Sequence, residues 1–341
     1  MATAWTTKSP RSSSHSHDEC RQAPVSGLIR FRPDCRTRPS HNGTRPMGQR
    51  IGMIGIGLMG HGIARNIVGK GWSFGYLRHP GNQPTDDLDA AGASSFETTQ
   101  ELAAASDIIL LCVSGTPQVE DVLLGSGDVL RLLRPGMVVV DCSTANPTST
   151  VKLAAAVAEK GASFVDAAMT RTPKEAEEGR LNLLVGGEPE VVQSVMPLLS
   201  AFAENIFQAG GVGAGHQLKL LHNYVSLGSV MLVAEAIACA SKGGVSMNAL
   251  VECLAKGGGG GVALERLVPY VTDGETGQLK FTIANAAKDL FYYRQLAEYL
   301  GAADMVAAGV GDTLDRLVQS GKGSAFVPEA IAFLQTTNFA D

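Results

Sequence analysis

The sequence predicts an α/β chain with an N-terminal doubly wound sheet and an all-α C-terminal domain, the two joined by a long interdomain helix. Three observations predict it. From Arg50 to about residue 211, short apolar runs alternate with helical stretches, as in a parallel sheet covered on both faces. After about residue 212 the strand-like runs stop. A run from about Ala214 to Lys242 then looks too long and too apolar for a surface helix. At 341 residues and 45% apolar content, two domains are expected. The expected division is an N-terminal extension over 1–47, a sheet domain over 48–211 and a helical domain over 212–341.

The extension is rich in Ser, Arg and Pro, as in "SPRSSSHSHDEC" and "FRPDCRTRPSHNGTRP", and lacks apolar periodicity, so disorder is expected. Its arginines suit a mitochondrial presequence, but three acids and the lack of an amphipathic helix weigh against one. The simpler reading starts the natural protein at Met47, with a strand following directly in "MGQRIGMIGIG".

The strand candidates are "RIGMIGI", "SFGYL", "DIILLCV", "GMVVVD", "ASFVDAA" and "LNLLVGG". Between them lie helical stretches such as "HGIARNIVGKG" and "STVKLAAAVAEKG". The first strand runs into "GIGLMG", which sets Gly55, Gly57 and Gly60 in G-x-G-x-x-G at the start of a helix. Strand context makes this a Rossmann dinucleotide fingerprint. Gly55 permits the tight turn, Gly57 lets backbone approach a pyrophosphate, and Gly60 lets helix and strand pack closely.

After the second strand, an NAD-specific chain carries an acid to bind the ribose 2′-hydroxyl. This chain reads "FGYLRHPGN" instead, with Arg78 able to pair a 2′-phosphate. NADP is therefore favoured, with NAD possible.

"VVVDCSTANP" puts Ser143 and Thr144 at the C-terminal end of a buried strand, where α/β sheets bind ligands. They suit the nicotinamide end of the cofactor, a substrate carboxylate, or a cap on the next turn. The following strand ends in Thr170, Arg171 and Thr172. Arg171 at that edge suits an anion anchor, or a local pair with Glu175 or Glu178.

On the long helix, "GHQLKLLHNY" carries two stripes. Leu218, Leu221 and Val225 share one face, while His216, Lys219 and Asn223 repeat on another. An ammonium in so apolar a segment costs several kcal/mol unless it is used or paired.

Composition narrows the function classes. Residues 1–46 hold seven Arg and one Lys against Asp18, Glu19 and Asp34, a net +5, so the rest of the chain carries −10 of the total −5. An acidic body argues against nucleic acid. Six scattered cysteines show no metal-ligand spacing and suit a reducing compartment. No run of 18 uninterrupted apolar residues occurs, which argues against a membrane span.

These motifs match a family in order and spacing. From about residue 50 onward the chain resembles the β-hydroxyacid dehydrogenases, the group of 3-hydroxyisobutyrate dehydrogenase and tartronate semialdehyde reductase. The resemblance rests on "GIGLMG", "DCSTANP", "FVDAAMTRTPKEAEEGRLNLLVGG", "GAGHQLKLLHN" and "KDL" at 288–290. It implies an NAD(P)-dependent 3-hydroxyacid dehydrogenase that interconverts a small 3-hydroxy acid and its semialdehyde, assembled as a homodimer or homotetramer. Carried over residue by residue, it makes Lys219 the acid/base and Asn223 its partner one turn on. Leu58, Met59, Val113 and Thr144 would line the cofactor beside Gly55, Gly57 and Gly60, Lys288 would lie close to it, and Ser143 would meet substrate.

Two departures mark this chain. Thr170-Arg171-Thr172 stands where the family has Ser-Gly-Gly, and His222 stands where it has a second asparagine. Arg171 and Ser226 resemble the sulfonate-binding positions of the sulfolactaldehyde-reducing member, so the alternative is a reductase for a substrate with a strongly anionic tail. Imine-reducing relatives and the catalytically inactive chromatin-associated member usually lack the lysine that is present here. No nucleic acid or membrane partner is expected. A cytoplasmic location is expected, with mitochondrial targeting by the extension as the alternative.

Overall fold

The computed structural model describes residues 48–336. The extension expected over 1–47 lies outside the described residues. The first half runs β1 (Arg50–Ile54), α1 (Leu58–Gly69), β2 (Ser73–Leu77), α2 (Asp86–Ala90), β3 (Ser94–Phe96), α3 (Thr99–Ala104) and β4 (Ile108–Leu111). It continues through α4 (Thr116–Leu124), α5 (Val129–Leu132), β5 (Val138–Asp141), α6 (Pro147–Ala158) and β6 (Ser163–Thr170). The sheet domain closes with α7 (Pro173–Glu177), β7 (Leu181–Gly186), α8 (Pro189–Leu199) and β8 (Ala203–Gly210). Helices follow: α9 (Ala214–Lys242), α10 (Met247–Lys256), α11 (Val262–Asp273), α12 (Ile283–Leu300), α13 (Met305–Leu317) and α14 (Ala330–Thr336).

The eight strands form one sheet in the order β3-β2-β1-β4-β5-β6-β7-β8. Central strands bury both faces. On β4, Ile108 and Leu110 join one apolar cluster with Met53, Ile63 and Val165, while Ile109 and Leu111 join another with Val139, Leu153 and Phe164. This is why those strands read as unbroken apolar runs.

The sheet departs from the sequence expectation in two ways. The β6/β7 pair is antiparallel, with Asp166 opposite Gly186. Only ten residues separate these strands, fewer than the dozen or more that a parallel crossover needs. In addition, β3 and β8 have no counterpart among the strand candidates. β3 is three residues long, and β8, "AENIFQAG", is an edge strand with half or more of its residues exposed, so neither carries an apolar run.

The spine is α9, 29 residues and so about 43 Å long. Its N-terminal part packs on β6, β7 and β8, and elsewhere it meets α11, α12 and α14. Its first turn comes down onto backbone: a Cβ on Gly215 would lie 2.3 Å from the Leu184 carbonyl oxygen. Leu220, Leu227, Val230 and Met231 join Ile283, Leu290 and Leu314 in the helical core. By length and composition α9 is apolar enough to cross a membrane. Its two stripes explain this, because the polar one faces inward. His216, Lys219 and Asn223 are buried, whereas Leu221 and Val225 are 41% and 64% exposed.

Candidate active site

The glycine turn after β1 is shaped for a dinucleotide. Gly55 has φ +104°, and a Cβ there would lie 2.2 Å from the Cys112 carbonyl oxygen. A Cβ on Gly60 would lie 2.0 Å from the Gly55 carbonyl oxygen, so these two glycines are needed for the turn and for the packing of α1. Gly57 differs, since nothing lies within 4 Å of its missing Cβ. It caps α1 without a side-chain hydrogen bond, and no acid occupies the first turn. Open space before a free helix N-terminus fits a pyrophosphate, so the residues present fit the cofactor. Leu58 is exposed on this turn and Met59 is half-buried. A crevice of about 590 Å³ extends from Gly55 and Gly57 past Leu77, His79 and Asn82 to Val113 and Ser114.

Glu97 lines this crevice, and its carboxylate lies 3.3 Å from the Arg78 guanidinium, both exposed. Glu97, the residue after the short β3, thus puts a carboxylate beside Arg78.

From the helical domain, Lys288 Nζ donates to the Ser114 carbonyl at 2.8 Å and lies 5.5 Å from the Tyr292 ring centre. This places Lys288 at the end of β4, beside Val113. Ser143 is fully buried. Its Oγ accepts from Val113 N–H at 3.0 Å, and its own N–H donates to Asp141 Oδ1 at 2.9 Å. Thr144, next along, is half-buried.

The turn after β6 differs from its expected role. Arg171 has φ +84°, a left-handed conformation that costs a non-glycine residue about 1–3 kcal/mol. Its guanidinium donates to the Arg180 carbonyl and pairs with Glu204. The local partner of Arg171 is thus Glu204 on β8, a strand unseen in the sequence, and neither Glu175 nor Glu178. Thr172 forms a capping box with Glu175, and buried Thr170 accepts from Asn182 Nδ2 at 3.2 Å. The three side chains of the turn are thus held locally.

On α9, Lys219 is only 8% exposed and makes no hydrogen bond or ion pair with another described residue. Burial pushes its pKa down to about 8, against the Asp289 carboxylate, which raises it, and with the Lys288 ammonium, which lowers it. Asn223 donates to Asp289 Oδ2 at 2.6 Å, and Asp289 Oδ1 lies 3.2 Å from Lys288 Nζ as an ion pair without hydrogen-bond alignment. His222 lies outward on the helix, its Nδ1 2.9 Å from Asn223 Oδ1. Ser226, one turn on, is half-buried. The structure thus gathers Lys219, Asn223 and Lys288 around Asp289. It ties Ser143 to the ends of β4 and β5, and directs Arg171 elsewhere.

Sequence reasoning assigned no role to Asp289, Asp141 or Asp166. Asp289 was inside a quoted motif. The other two interrupt the apolar runs "VVVD" and "FVDAA", and a carboxylate there is costly unless used. Asp166 accepts from Gly213 N–H at 2.7 Å and His216 N–H at 2.8 Å. It thereby caps from β6 a helix whose own N-cap, Gly213, offers no side chain.

Known proteins resemble both halves. Residues 50–211 match the NAD binding domain of 6-phosphogluconate dehydrogenase, and residues 213–334 match the NAD-binding family of NADP-dependent 3-hydroxyisobutyrate dehydrogenase. The chain is 34% identical over 227 residues to 2-(hydroxymethyl)glutarate dehydrogenase of Eubacterium barkeri, covering 66% of this chain and 75% of that protein. It is 32% identical over 222 residues to NAD-dependent L-serine dehydrogenase of Pseudomonas aeruginosa, covering 65% and 74%. A solved structure of Mycobacterium tuberculosis 3-hydroxyisobutyrate dehydrogenase with L-serine superposes with TM-score 0.76 at 24% identity, over 85% of this chain and all of that one. That likeness is of fold.

Proposed function

The chain belongs to the β-hydroxyacid dehydrogenase family and is an NAD(P)-dependent hydroxyacid dehydrogenase, and from that premise we propose that it interconverts a small 3-hydroxy acid and its semialdehyde with Lys219 as acid/base and NADP preferred over NAD. The observation that carries this reading is a buried lysine, its pKa lowered by burial, with no ion-pair partner among the described residues, one helical turn from an asparagine locked to a carboxylate.

A nicotinamide dinucleotide bound at the Gly55–Gly60 turn supplies or accepts the hydride. In the reducing direction, negative charge grows on the substrate's carbonyl oxygen, and the Lys219 ammonium stabilises it and then gives it a proton. In the oxidising direction the neutral amine takes the hydroxyl proton, and burial keeps a usable share of it neutral near neutral pH. Asn223 holds the same oxygen, its amide fixed by Asp289. Ser143 and the turn at Thr170, Arg171 and Thr172 hold the substrate's acid end, the turn through its backbone. Leu58, Met59, Val113, Thr144 and Lys288 would border the bound cofactor, and Arg78 would pair with a 2′-phosphate. His222 and Ser226 lie at the outer margin of the substrate end.

Subunits associate as a homodimer or homotetramer, a reading supported by the outward stripe of Leu221, Val225 and Leu232 on α9. The protein acts in the cytoplasm. The test of the proposed reaction is a screen of 3-hydroxyisobutyrate, L-serine and 2-(hydroxymethyl)glutarate with NADP⁺ and NAD⁺. Turnover of at least one is expected, and no turnover of any small 3-hydroxy acid would overturn the proposal.

A further inference from the structure

Beneath Ser143 and Lys219 lies a buried polar cluster that the proposed chemistry does not use. Asp141 ends β5, Asp166 lies opposite it on β6, and His216 is in the first turn of α9. All three are fully buried. His216 Nδ1 is 2.7 Å from Thr150 Oγ1 on α6. His216 Nε2 faces Asp141 Oδ2 at 3.8 Å, and neither atom has a hydrogen-bond partner. Leaving a buried polar atom unpaired costs about 1–3 kcal/mol, so such a pair needs an explanation other than stability.

Its connections supply one. Asp141 holds the Ser143 N–H through its other oxygen, and Ser143 Oγ holds the end of β4 at Val113. His216 is seated by Asp166 through its own N–H and stands three residues, almost one turn, before Lys219 on the same buried stripe. The Asp141–His216 contact therefore bridges the strand ends that carry the cofactor side of the site and the helix that carries the lysine.

We propose that His216 is a positioning residue: its ring, set between Thr150 and Asp141, fixes how the first turn of α9 sits on the sheet edge, and so sets Lys219 relative to Ser143. A shift of about an ångström closes the gap to a hydrogen bond, so the contact can follow small movements between the helix and the sheet. A leucine would fill much of the same space but would leave Asp141 Oδ2 facing an apolar side chain, and could not make that link.

The proposal rests on Lys219 as acid/base, and the test separates the two ideas. Three variants divide the ring's functions. His216→Leu removes both polar ends, His216→Asn keeps a group near the Thr150 end, and His216→Gln keeps one near the Asp141 end. With NADP⁺ and the better of 3-hydroxyisobutyrate and L-serine, His216→Leu and His216→Asn are expected to lose up to about 10²-fold in kcat, the size of effect of a small misplacement. The KM for NADP⁺ stays unchanged, and His216→Gln recovers to within about 3-fold of wild type. A His216→Leu enzyme with wild-type kcat, or a His216→Gln enzyme as slow as His216→Leu, overturns the proposal. Should His216→Leu fail to fold, the comparison of Gln with Asn decides, and equal rates overturn it. A readout without turnover is acetylation of Lys219 by acetic anhydride against pH, followed by peptide mass spectrometry. In His216→Asn its midpoint is expected to rise from about 8 as the helix loosens, and in His216→Gln to stay in place. Unchanged midpoints in both overturn the positioning role even if the substrate assignment is wrong.

Discussion

Asn223 donates its side-chain amide to the Asp289 carboxylate at 2.6 Å, with both residues buried and each on a different helix of the C-terminal domain. This bond fixes which face of the Asn223 amide remains free. The same carboxylate raises the Lys219 pKa against burial.

Neutralising the carboxylate as Asp289→Asn should therefore act on both groups. Lys219 loses the influence that raises its pKa, so the limb of the kcat–pH profile that reports neutral lysine in the oxidising direction moves to lower pH. With Asn223 no longer held by a charge, kcat should fall about 10- to 100-fold. A profile that stays in place would show that Asp289 does not govern Lys219.

The Arg78–Glu97 pair makes cofactor choice testable. Glu97→Gln releases Arg78 and removes a repulsive charge, so kcat/KM for NADPH should rise about 3- to 10-fold with little change for NADH. Arg78→Ala should lower the NADPH value by a comparable factor. If Glu97→Gln leaves the NADPH/NADH ratio unchanged, Arg78 does not read the 2′-phosphate.

Gly57 and Gly60 should respond differently to alanine. Gly57 has φ −81° and open space around it, so Gly57→Ala should keep the wild-type Tm while weakening NADPH binding at least about 10-fold by occupying the phosphate approach. In Gly60→Ala the new methyl meets the Gly55 carbonyl, and the Tm itself should drop. Titration by NADPH fluorescence beside thermal unfolding checks both, and unweakened NADPH binding by folded Gly57→Ala contradicts the cradle.

His61 gives a pH-dependent contribution to stability. Burial lowers its pKa, but hydrogen bonds to Glu177 and Asp87, each at 3.0 Å, outweigh burial and the net shift is upward. A raised folded pKa means this stabilisation is fully present below the unfolded value, about 6.5, and is lost as pH rises through the folded value. The Tm difference between wild type and His61→Gln should thus shrink from pH 6 to pH 9. A constant or growing difference contradicts it.

The legible parts of this protein were those with a repeating physical signal. Strands buried on both faces announce themselves as apolar runs, and Gly55, Gly57 and Gly60 are spaced by the turn they build. What escaped the sequence lacked such a signal. The exposed strand β8 has no run, yet it carries Glu204, and without it Arg171 reads as a free anion anchor. The three residues of β3 bring Glu97 to Arg78, a pairing 19 positions apart that only the sheet creates. Lys219 stood out because charge in an apolar helix is costly. Its partner network through Asp289, 70 positions later, depends on how α9 and α12 pack.

The role of Lys219 itself is tested most directly by Lys219→Met, with thermal unfolding, NADPH binding and turnover measured on one preparation. A depressed lysine pKa means the folded state holds its proton less tightly than the unfolded state. Removing the buried charge should therefore leave Tm equal or raised, most visibly below pH about 8. NADPH should still bind, since the glycine turn is in the other domain. Turnover should fall about 10²- to 10⁴-fold, mainly in kcat. A folded, NADPH-binding Lys219→Met protein with near-normal kcat would contradict the account at its centre.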